Sequence, residues 1–68
     1  MLNAYADIQS LANYAKKAMG ENRSNYFMNH RHKMLNHQTP FSFYMDQPSI
    51  HNYKIVLGLI ESWCRENN

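Results

Sequence analysis

Histidines, a cysteine and five carboxylates are the residues of this chain that could do chemistry. Four histidines invite a metal. His30 and His37, seven apart, could share a helix face, whereas His30 and His32, two apart, cannot. Zinc sites usually show tighter pairs, a His-x-x-x-His spacing or paired cysteines. Neither is present, and Cys64 is the only cysteine. It falls on an apolar stripe, where a thiol behaves as a small packed hydrophobe. The carboxylates Asp7, Glu21, Asp46, Glu61 and Glu66 form no spaced pair suited to acid–base work. No glycine-rich phosphate loop occurs, and so short a chain has little volume for a deep pocket. We therefore expect no catalytic residue, no metal, no cofactor and no enzymatic activity.

Charge and aromatic content point to surfaces instead. The formal net charge is only +2, but its distribution is uneven. No carboxylate lies between Glu21 and Asp46, while Arg23, His30, Arg31, His32, Lys33 and His37 all do. Local positive potential of this kind recruits acidic protein surfaces or nucleic acid, or is simply a solvated basic face. Aromatics make up 13% of the chain, and tyrosine, tryptophan and arginine are the types enriched at binding hot spots. Phe41, Phe43 and Tyr44 crowd one short segment, and a small core cannot bury all three, so Phe43 is expected to stay exposed. Arg31, His32, Lys33, Phe43 and Arg65 are the expected partner-binding residues. A protein partner is the first expectation. Homodimerisation is a further outcome, and nucleic acid ranks below a protein because residues 20–23 suit a helix-turn-helix poorly.

Length then bounds the scaffold. The 68 residues allow one domain, 1–68, with one modest core. A domain of that size buries only about 60% of its unfolded surface, so help from a partner is natural. A lone thiol, no leader at Met1 and no bilayer-length apolar run make a cytoplasmic, membrane-free location the expectation. The patterning gives an all-α class, a single compact domain of four helices with the third short and the last central. Asn3 can cap a first helix whose stripe is Ile8, Leu11, Ala12, Ala15 and Met19, with Tyr5 extending it and Gly20 just past its end. Ser24 would cap a second helix over about residues 25–36, burying Phe27, Met34 and Leu35. Thr39-Pro40 opens a short third helix over about 40–45 with Phe41, Tyr44 and Met45 inward. The last helix, about 49–65, places Tyr53, Val56, Leu57, Ile60, Trp63 and Cys64 on one wide face, which Ile55 and Leu59 extend. Gly58, mid-helix, costs about 1 kcal/mol relative to alanine, so a close crossing against the alanines of the first helix is expected.

One ordered signature runs through these elements. Ala15, Ala18 and Gly20 precede Phe27-Met28, Leu35 follows Met28 by seven, then come Thr39-Pro40 and finally Val56, Leu59, Ile60 and Glu61. This order resembles the toxin-binding C-terminal domain of MbcA/ParS/Xre-type antitoxins, over about residues 11–63. There, a Trp-Leu pair stands where this chain has Phe27-Met28. The resemblance implies a compact helical domain that neutralises a protein, often by obstructing its active site, here without the family's usual DNA-binding module. An antitoxin, or a phage or mobile-element inhibitor of a host defence or regulatory protein, is what it implies.

Overall fold

The computed structural model describes residues 3–66, which form four α-helices, one 3₁₀ turn and a single isolated antiparallel bridge. Helix α1 spans Ala4–Met19, and the Asn3 side-chain oxygen accepts from the Ala6 amide at 3.1 Å, as its position before the apolar stripe requires. Ile8, Leu11, Ala15 and Met19 are its buried edge, while Tyr5 stays outside the core it was expected to extend.

Gly20 then does two jobs. Its φ of +89° is a conformation L side chains rarely adopt. Its amide donates to the Lys16 carbonyl at 3.0 Å, and its own carbonyl accepts from Ser24 at 2.9 Å. One residue thus closes α1 and opens α2, Glu21–Asn29, with no linker between them. The expected second helix is corrected on both ends. Ser24 does not cap it but lies buried inside it, its hydroxyl donating to the Glu21 carbonyl at 3.0 Å. The chain leaves the helix after Asn29, so residues 30–36 are a loop with a 3₁₀ turn at Lys33–Leu35.

Helix α3, Pro40–Asp46, starts as its sequence dictates: the Thr39 hydroxyl accepts from Ser42 at 3.1 Å and Pro40 fills the first turn. Helix α4, Ile50–Glu66, begins with the Ser49 hydroxyl accepting from Asn52 at 3.0 Å. Leu11, Ala15, Phe27, Leu35, Tyr44, Val56 and Ile60 are fully buried, so every element supplies the core. Helix α4 contributes Val56, Leu59 and Ile60 to that core, and α1 and α3 each pack against the other three helices.

Two aromatics exchange their expected places. Phe43 is half-buried against the core, whereas Phe41 is 48% exposed. Beside them Tyr44 is fully buried, as expected, and donates its hydroxyl to an Asp7 carboxylate oxygen at 2.9 Å. Burial first, then that bond, pushes the phenol up to about 12. The expected close crossing at Gly58 is also corrected: the residue is exposed, and an added β-carbon would meet nothing within 4 Å beyond its own helix.

Candidate interaction surface

The loop over residues 30–38 is the most specifically built surface feature. His30 turns extended at φ −87°, ψ 144°, its amide still reaching the Phe27 carbonyl at 3.4 Å. His32 and Gln38 then pair as an isolated bridge, the His32 amide donating to the Gln38 carbonyl at 3.1 Å. The His32 carbonyl accepts from Leu35 at 2.9 Å and from His37 at 2.9 Å. To close so tightly the chain takes the left-handed conformation twice, at Asn36 (φ 57°) and His37 (φ 62°). Asparagine and histidine are among the non-glycine residues that tolerate it best.

His32 is the anchor rather than a contact. It was expected on the partner-binding surface, yet only 5% of it is exposed. Its Nε2 lies 2.9 Å from the Phe27 carbonyl oxygen, and since a carbonyl only accepts, Nε2 carries the hydrogen. The imidazole meets the Phe27 ring edge-on at 4.7 Å between centroids and the Trp63 indole at 5.0 Å, the tilted geometry that aromatic quadrupoles favour. Burial holds His32 below the ordinary histidine value; the bond to Phe27 works the other way, and His30 adds to the lowering.

Around this anchor most of the loop side chains point outward. Arg31, Lys33 and His37 are exposed, and Met34, expected in the core, is 79% exposed. Leu35, fully buried, is the second pin. Arg65 is exposed two residues beyond Trp63, whose ring meets the anchor edge-on, so it belongs to the same end of the molecule. Phe43 does not join this group, being packed half-buried on α3. The structure therefore brings Arg31 and Lys33 together on one pinned loop and removes His32 and Phe43 from the exposed set.

Three surface features lie outside the expected partner-binding residues. Tyr26 is 54% exposed and stacks on His30 at 5.0 Å, extending the loop with ring faces. A groove of about 300 Å³ runs beside the loop, lined by Met34, Leu35, Lys54, Ile55, Gly58, Leu59 and Ser62. The mid-helix glycine was the signal for it. A second groove, of about 330 Å³, lies across α1, α2 and α3, with Tyr5, Met28 and Phe41 among Gln9, Asn13, Asn25 and Asn29.

Among the described residues, no group of three or more histidine, cysteine, aspartate or glutamate side chains could hold a metal ion, and no helix is long and apolar enough to cross a membrane. Comparison of the chain with protein-family models, with curated proteins and with solved structures finds no match.

Proposed function

We propose that this chain is a non-enzymatic binding domain that sequesters or sterically blocks a protein partner through its basic loop. The observation that carries this reading is the anchoring of that loop. A buried imidazole and a buried leucine fix the backbone, so Arg31 and Lys33 are displayed without the ordering cost that a mobile loop would bring to binding. The absence of any carboxylate between Glu21 and Asp46 leaves the displayed charge uncompensated locally, which favours an acidic partner surface. An antitoxin-like inhibitor, or a phage or mobile-element protein acting on a host defence or regulatory protein, is the biological role that fits such a domain.

The exposed Tyr26–His30 stack beside Arg31 favours a second reading, nucleic-acid binding, since base stacking on rings next to cations is how single strands are held. One experiment separates the two. The tagged chain and an Arg31→Glu, Lys33→Glu variant are used to retrieve partners from host lysate, with nuclease treatment in parallel. A nuclease-insensitive protein held by the native chain and released by the variant supports the inhibitor reading. Recovery of nucleic acid alone, or a protein held equally by both chains, overturns it.

A further inference from the structure

Gly58 has no explanation inside the chain. A mid-helix glycine costs about 1 kcal/mol relative to alanine, a cost normally offset by a neighbouring element that packs where the β-carbon would stand. Here that position is open, with nothing within 4 Å beyond the helix itself. The glycine instead forms part of the floor of the groove beside the basic loop. Its apolar neighbours there include Met34, 79% exposed, Ile55, 36% exposed, and the nearly buried Leu59. Unbranched and flexible, a methionine at the lip adapts to an incoming side chain.

The charges beside the groove select its occupant. Lys54 is among the lining residues and Lys33 immediately precedes Met34 in the 3₁₀ turn, while no carboxylate lines the groove. On α4, Glu61 follows Lys54 by seven residues and so shares its flank of the helix, outside the groove lining. A second copy of this chain would bring the same net positive rim, Lys33 and Lys54 against Glu61, and so offers less charge complement than an acidic helix. Nucleic acid fits poorly as well, because the floor is aliphatic and offers no ring on which a base could stack.

From this we infer that the groove between the 3₁₀ turn and α4 seats an amphipathic helix of the protein partner. An aliphatic side chain of that helix lies over Gly58, and carboxylates on its flanks face Lys33 and Lys54. This deepens the binding reading proposed above and rests on it. Helix-in-groove recognition of this type draws affinity from the apolar anchor and orientation from the rim charges.

The test uses the full chain and a displayed set of helical peptides with leucines along one face and glutamates on both flanks, beside a matched set with lysine flanks. Binding is read by fluorescence polarisation. Glutamate-flanked peptides are expected to bind and lysine-flanked ones not. Gly58→Leu, which fills the groove, should weaken binding about tenfold or more, and Lys54→Glu should weaken it and flatten its salt dependence. Since a β-carbon at 58 meets nothing within 4 Å beyond the helix and the groove is open above it, that variant is expected to fold, as a circular dichroism melt will verify. Met34→Glu, at an exposed site, gives the same readout independently. Equal binding of both peptide sets, no binding of either, or undiminished binding by both Gly58→Leu and Met34→Glu overturns the inference. The broader reading fails separately, through a lysate partner still held after charge reversal at Arg31 and Lys33.

Discussion

Two exposed faces of this molecule carry comparable apolar area and differ in everything else. The face across α1, α2 and α3 sets Tyr5, Met28 and Phe41 among asparagine and glutamine side chains, and no charged residue lines its groove. The face formed by the loop and α4 sets Met34, Ile55 and Leu59 beside Lys54, with Arg31 and Lys33 displayed on the adjoining loop. The first is built on helices whose amides solvate it, and scattered apolar surface of that kind is ordinary for a small domain. The second depends on a tertiary device, a buried histidine and leucine that hold an irregular loop in one shape. Apolar exposure therefore says little by itself about where a partner docks. Charge that is fixed in place beside an apolar floor says more.

The largest effect should come from removing a pin of the loop face. Leu35→Ala is expected to cost about 2–5 kcal/mol, the range for a fully buried leucine, whereas Phe41→Ala on the opposite face should stay within about 1 kcal/mol. Urea denaturation midpoints measure both, and equal losses would dissolve the distinction between the faces. Next, His32→Ala should cost about 2 kcal/mol, combining lost ring packing with the lost bond to the Phe27 carbonyl, while its exposed neighbour His30→Ala costs about 0.5 kcal/mol or less. Acid should act on the same anchor. Because the folded state holds His32 below its ordinary value, the unfolded chain takes up the proton first. Stability contributed at neutral pH should fall as pH drops below about 6.5 and go on falling until the folded-state value is passed. Urea midpoints compared at neutral and mildly acidic pH, in the native chain and in His32→Gln, will test this; an unchanged acid sensitivity in the variant would assign it to other groups. The smallest effect has the opposite sign: Gly58→Ala should stabilise the chain by up to about 1 kcal/mol, read from the melting midpoint, since helix propensity improves and no contact is disturbed.

Most of the framework was legible because it rests on local chemistry. Asn3, Gly20, Thr39-Pro40 and Ser49 each mark a helix end through a capping bond or backbone conformation that a short stretch of sequence specifies. Buried stripes at helical spacing identified α1 and α4 for the same reason. The stretch over residues 30–36 was not legible. Its helix-like pattern is overruled by the long-range contact of His32 with Trp63, some thirty residues away in the chain. Ser24 could not be told from a cap because serine within a helix can bond its own preceding turn instead. Arg31 and Lys33 are exposed, as charge stays outside whatever the local backbone does. His32 and Phe43 were misplaced because burial of an amphipathic ring is decided by its neighbours in space.

Trp63, the sole tryptophan, rests with its ring centroid 5.0 Å from the His32 imidazole. The protein thereby carries its own optical reporter. Indole emission is quenched by a neighbouring imidazolium and shifts to the red when water reaches the ring. Intrinsic fluorescence of the unlabelled chain will therefore register protonation of the anchor, opening of the loop and the arrival of a partner in real time.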